Sequence, residues 1–109
     1  MDYKTALNQL TFSNNGFGVL KFFIGAYDFV KFEPVGKNHS IRFKFEIGGK
    51  KNSNYCRLIY DYARDLYNME FKLLNDDKET EKTKLFEGLF FDQLKEFFET
   101  YTGLYLSFN

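Results

Sequence analysis

Tryptophan is absent from this 109-residue chain, and proline, cysteine and histidine occur once each. No apolar run approaches the ~20 residues that cross a bilayer. A lone cysteine, Cys56, excludes an intramolecular disulfide and fits a reducing compartment. One cysteine and one histidine also exclude a His/Cys metal cluster, and Asp76-Asp77 with Glu79 lacks the spacing and glycine of a calcium loop. His39 sits between Asn38 and Ser40 in a polar turn, with no sequence neighbour to serve it as a catalytic partner. Cys56 falls on the apolar parity of a strand, the place of an inert core thiol. The glycines of Gly16-Phe17-Gly18 and Gly48-Gly49-Lys50-Lys51 lack the spacing of a phosphate loop. No catalytic residue, metal ligand or cofactor is therefore assigned, and an enzyme would require His39, Tyr60 or a carboxylate supported by residues distant in sequence. The opening residues, Met1 to Thr5, lack the basic region and apolar stretch of a signal peptide, so the expected location is the cytoplasm, without a membrane partner.

Aromatic residues are in excess. Phe and Tyr together make up 21% of the chain, with 15 Phe and 8 Tyr, more than one core of this size can bury, so some are expected at the surface. Exposed rings suit a base-stacking platform or a protein interface, while the codon bias of a low-GC genome accounts for the same excess without a function. Net charge is zero but divided: residues 1–60 hold nine Lys/Arg against four Asp/Glu, a balance of +5, and residues 61–109 hold six against eleven, a balance of −5. An anionic partner for the first half and a basic partner for the second are both permitted by that polarity.

One domain spanning 1–109 is expected, organised around the stretch from Phe90 to Leu104. Phe90, Leu94, Phe97, Phe98 and Tyr101 recur at helical spacing, with Asp92 as cap and Gly103 as a left-handed end onto which Leu104 folds back. A second, short helix is read over Asp2 to Leu10, with Asp2 as cap and Tyr3, Ala6, Leu7 and Leu10 on one face, placed at an edge of the sheet. Phe17 to Ile24 is apolar on both parities and reads as a central strand, followed by a bend at Gly25-Ala26 and a strand over Tyr27 to Glu33 that ends at Pro34. From Ser40 to Ile47, Ile41, Phe43, Phe45 and Ile47 alternate with Arg42, Lys44 and Glu46, the clearest strand pattern in the chain. A loop over 48–54 and a strand over Tyr55 to Tyr62 follow, with Cys56, Leu58 and Tyr60 on one side.

Residues 59–74 fit both helical and strand periodicity; the Tyr and Phe content favours two strands joined around Ala63-Arg64-Asp65. Asn75 to Glu81 reads as a charged hairpin tip and Lys82 to Leu89 as the last strand. The fold class is thus α+β: a largely antiparallel meander of five or six strands, the C-terminal helix packed on one face and a short N-terminal helix.

Two functional readings follow. Tyr27 to Phe32 is similar to the second half of the base-stacking motif of RNA-recognition domains, but Asp28 stands where a small residue belongs and no helix separates the early strands. The broader form is a nucleic-acid-binding sheet edge on which Lys31, Lys37, Arg42, Lys44, Lys50, Lys51 and Arg57 gather, with Tyr27 and Tyr55 as stacking groups; an ordinary solvated strand face has the same composition. The other reading starts from three landmarks: Leu66-Tyr67-Asn68-Met69-Glu70-Phe71, Glu87-Gly88-Leu89-Phe90 and Thr102-Gly103-Leu104-Tyr105-Leu106-Ser107. With these, most of the chain after Phe22 resembles small uncharacterised proteins carried by phages and mobile elements of Firmicutes and their relatives. That resemblance implies a strand over 66–74 and an accessory or anti-defence role in the host cytoplasm. Its partner would be a host protein, such as a defence or nucleic-acid-processing enzyme, and it brings no catalytic residues. An exposed edge strand and surplus aromatics also raise a two-fold homodimer.

Overall fold

The computed structural model describes residues 3–75 and 78–108, leaving aside the side chains of 78–82. Two helices, α1 (Tyr3–Thr11) and α2 (Gly16–Ile24), precede five strands, β1 (Tyr27–Val35), β2 (Asn38–Lys44), β3 (Tyr55–Asp61), β4 (Leu66–Asn75) and β5 (Lys78–Leu89). A single 3-10 turn (Phe91–Gln93) leads into the last helix, α3 (Leu94–Thr102). The strands pair antiparallel in chain order, β1-β2-β3-β4-β5, as the local hairpins of the sequence imply. None of the described helices is long and apolar enough to cross a membrane.

Alternation places Ile41 and Phe43 of β2, Cys56, Leu58 and Tyr60 of β3, and Tyr67, Met69 and Phe71 of β4 on one buried face. Leu94 and Phe98 of α3 lie against it, and the Phe98 ring sits among Phe43, Phe45 and Phe71 with centroids at 6.2, 5.5 and 5.7 Å. Residues 66–74 are strand, the turn before them closing at Asp65 with φ 53°. The α1 face read from sequence is buried through Ala6, Leu7 and Leu10. This helix does not stand at an edge, however: Gln9 accepts a hydrogen bond from the Tyr67 hydroxyl of β4 at 2.6 Å, and α1 packs beside α3 over the sheet. The expected cap, Asp2, lies outside the described residues, as do Asp76 and Asp77 of the charged tip. Strand pairing there reaches Asn75 and Lys78, so the hairpin is longer and its tip shorter than the sequence reading.

The largest correction concerns residues 17–24, which form α2 rather than a central strand. The Asn15 side chain accepts the Gly18 N–H at 3.2 Å, a helix cap. Gly16 seats against α1 so closely that a Cβ there would lie 2.5 Å from the Leu7 backbone. Gly25, at φ 63°, closes the helix in the left-handed conformation, its N–H bonded to the Lys21 carbonyl. Buried Gly16, Leu20 and Ile24 are spaced by four, so an almost wholly apolar segment reads equally as strand or helix until α1 is in place.

Two smaller corrections affect the strand β2 and the last helix. β2 stops at Lys44; Phe45 stays in the core, but its N–H turns to the Asn54 carbonyl, and Ile47 is exposed. The C-terminal helix begins at Leu94, four residues later than its apolar stripe suggests. Asp92 lies within the 3-10 turn rather than capping it. Gln93 turns its side chain back to accept the Phe90 N–H at 2.9 Å, leaving the Phe90 and Phe91 rings exposed. Gly103 ends the helix at φ 72°, as its sequence position implies.

Candidate functional site

All three helices pack on one side of the sheet, and the other side is built from its own side chains. Register puts Val30, Arg42, Arg57, Glu70 and Leu85 in one row across the five strands, and Lys44, Tyr55 and Lys72 in the next, with Tyr27 in register with Lys44. Of the residues the sequence suggested for nucleic acid, the sheet therefore brings together Tyr27, Arg42, Lys44, Tyr55 and Arg57. It adds Lys72, which sequence reading passed over, and Phe32, the last residue of the motif-like stretch.

The remaining four go elsewhere. Lys31 is in register with Ile41 on the helix side, its ammonium 5.1 Å from the Tyr3 ring centre, because the irregular step at Asp28 (φ 55°) flips the parity of β1. Lys37 lies in the β1–β2 turn, over the Tyr62 ring at 4.8 Å. Lys50 donates from its side chain to the Thr100 carbonyl at 2.8 Å and from its N–H to that of Thr102 at 2.9 Å, satisfying orphan carbonyls at the C-terminus of α3. Asn52 does the same for Tyr101 at 2.7 Å, while Lys51 is exposed on the same loop.

On the open face the rings lie beneath the cations. Tyr55 is only 7% exposed, with Arg42 and Lys72 at 6.0 and 5.3 Å from its centre, and burial pushes its hydroxyl pKa up. The Arg57 guanidinium covers Phe32 at 4.2 Å. Tyr55 is thus unable to stack a base as the sequence reading required; Tyr27, 49% exposed, keeps an available ring. Asp28 pairs with both Arg42 (3.3 Å) and Lys44 (3.2 Å).

A different surface was missed in the sequence, on the outer side of the helices. Phe12 ends α1 with φ 51°, a left-handed conformation that suits glycine or asparagine, and its ring is 60% exposed. Beside it lie Phe91 (56%), across a hollow lined also by Asn8 and Gln9, and Tyr105 (57%), across another hollow of about 410 Å³ lined by Asp92, Lys95, Glu96 and Glu99. Lys95 lies over Phe12 at 5.7 Å and donates to Ser107 at 3.0 Å, while the Glu99 carboxylate accepts the Leu106 N–H at 2.7 Å, so both pin the tail. In the tail the Phe108 ring meets Phe23 (4.8 Å) and Phe22 (5.9 Å) of α2, both Phe22 and Phe108 being exposed. The result is a strip of rings along the helical layer with Asp92 and Glu96 at its rim. Its one legible signal was Phe12, a large apolar residue directly before the turn residues Ser13-Asn14-Asn15.

The groups considered for catalysis are placed structurally. Cys56 is fully buried, which raises its thiol pKa well above the ordinary value and keeps it un-ionised. His39 lines a hollow of about 20 Å³ with Lys31, Tyr60 and Tyr67, room for one water rather than a substrate. Tyr60 donates to the Asp65 carboxylate, a bond that pushes its pKa up to about 12. Among the described residues no group of three His, Cys, Asp or Glu is placed to hold a metal ion. No family model, no curated protein and no solved structure matches the chain.

Proposed function

We propose that this chain is a non-catalytic binding protein that docks on a partner protein through the aromatic strip formed by Phe12, Phe91, Tyr105, Phe108 and Phe22. The observation that carries this is Phe12. A bulky residue held at φ 51° costs stability, and a ring that is 60% exposed recovers little of it by burial, so folding alone gives no reason for a phenylalanine there. Exposed rings of this kind are enriched at protein interfaces, where they supply large contact area at small entropic cost. The carboxylates of Asp92 and Glu96 at the rim select a partner that presents Lys or Arg beside an apolar anchor. With the resemblance to phage and mobile-element proteins, the partner is a host protein such as a defence or nucleic-acid-processing enzyme, met in the host cytoplasm.

The test is quantitative capture from a Firmicutes host lysate by the wild-type chain and by Phe12→Asn combined with Phe91→Ser. A host protein retained by the wild type and lost with the double variant supports the proposal; equal capture by both, or none by either, overturns it. Self-association is a separate matter. The pairings of both edge strands contain two irregular steps, but β1 carries Pro34 and β5 has no proline, so a homodimer would pair β5 with β5 of a second copy. Light scattering that finds only a 13.0 kDa species removes the dimer.

A further inference from the structure

The open sheet face holds an electrostatic imbalance that the protein-docking reading does not use. Arg57 lies between Arg42 and Glu70 across the strands, yet forms no ion pair among the described residues. Its guanidinium is half-buried, donates one hydrogen bond, to the Ser40 hydroxyl at 3.0 Å, and rests on the Phe32 ring. The Nε atoms of Arg57 and Arg42 are both buried without a hydrogen-bond partner. A guanidinium carries five N–H donors in a planar fork, and taking it partly out of water without a counter-ion is costly unless an acceptor arrives. Around it the described residues place Arg42, Lys44 and Lys72 on the same face, against the carboxylates of Asp28 and Glu70. Among the described residues of these two rows and the Asp28 step, four positive charges thus stand beside two negative ones. Asp61, the next carboxylate along β3, is four residues from Arg57, about 13 Å, and accepts the Arg64 N–H of the turn at 3.3 Å.

We infer that this face binds the phosphodiester backbone of a single-stranded nucleic acid, with Arg57 and Arg42 as the central contacts and Lys44 and Lys72 flanking them. Charge complementarity selects an anion. The covered rings select the phosphates rather than the bases, because Tyr55 and Phe32 lie under cations and the face offers N–H donors instead of apolar pockets. The cations are spread over β2, β3 and β4 rather than in one cleft, which a flexible strand with a charge at every nucleotide can follow and a rigid duplex touches at fewer points. Tyr27, in the same row as Lys44, supplies one ring at the margin for stacking. Recognition is accordingly independent of sequence.

Fluorescence anisotropy of a labelled oligothymidylate with the full chain tests this, between about 50 and 200 mM salt. With three to four phosphates contacted, the logarithm of the affinity is expected to fall against the logarithm of salt with a slope of about −2 to −3. Arg57→Met with Arg42→Met should make that slope shallower by about 1.4 and weaken binding, whereas Arg57→Lys, which keeps the charge, should restore the slope. Lys31→Met and Lys50→Met, on other surfaces, should change neither. If the double variant fails to fold by circular dichroism, Lys72→Gln takes its place, with a slope shallower by about 0.7. Absence of binding at the lowest salt overturns the inference, as does a labelled polyglutamate peptide that binds as tightly as the oligonucleotide. Phe12→Asn should bind the oligonucleotide as the wild type does, which separates this surface from the protein-docking strip.

Discussion

Replacing Phe12 with asparagine separates a residue kept for binding from one kept for folding. At φ 51° the phenylalanine pays the cost of a left-handed backbone, about 1–2 kcal/mol for a residue with a Cβ, and asparagine tolerates that conformation far better. Against this, truncation gives up the buried part of the ring. With 60% of the residue exposed, that is about 1 kcal/mol, under half of what a fully buried phenylalanine contributes. The contact with Lys95 at 5.7 Å adds about 0.5 kcal/mol to the loss. The opposing effects nearly cancel, so urea denaturation should place Phe12→Asn within about 1 kcal/mol of the wild type. Binding behaves differently, because an aromatic anchor at the centre of an interface is worth about 2 kcal/mol or more, roughly thirtyfold in Kd. Titration of the captured host protein should show that loss. A variant destabilised by more than about 3 kcal/mol would place Phe12 in the core, and an unchanged Kd would remove it from the interface; either refutes the reasoning.

The fold makes three further claims. Phe98→Ala, which empties the space between Phe43, Phe45 and Phe71, should cost about 3–5 kcal/mol in urea denaturation, far more than any change in the strip. Gly16→Ala forces a Cβ to within 2.5 Å of the Leu7 backbone and should cost about 1–3 kcal/mol by prising α2 from α1, seen as a lower urea midpoint. Tyr60 has a pKa of about 12 in the fold against 10.0 for the free side chain, because its bond to Asp65 favours the protonated hydroxyl. Its contribution is therefore complete below pH 10 and is lost as pH rises through 12, so the wild type should lose stability more steeply than Tyr60→Phe across that window, followed by tyrosinate absorbance and thermal melts.

Alternation made the centre of the sheet legible. Ile41 and Phe43, and Tyr67, Met69 and Phe71, each mark a buried face by period two, and the strand choice for 66–74 rested on the same signal. That regularity also explains why Arg42, Lys44, Tyr55 and Arg57 share a face, though across the inner strands rather than at an edge: residues of one parity on paired strands point the same way. Lys31 was misplaced because one irregular step at Asp28 reverses parity, and nothing local in Tyr27-Asp28-Phe29 announces it. α2 was illegible for another reason. Gly16 to Ile24 is apolar on nearly every side, and what selects a helix is the fit of Gly16 against α1, a contact between two segments. The covering of Tyr55 by Arg42 and Lys72 is likewise a cross-strand fact. The aromatic strip draws on α1, the 3-10 turn, α2 and the tail, four segments that meet only once the helices have docked.

The most direct measurement replaces Phe91, and separately Arg57, with a photo-crosslinking phenylalanine and irradiates the chain bound to the captured host protein. Phe91 lies in the strip and Arg57 on the opposite face of the sheet, so the account expects a covalent adduct from position 91 and none from position 57. An adduct from position 57 with none from 91 would contradict it.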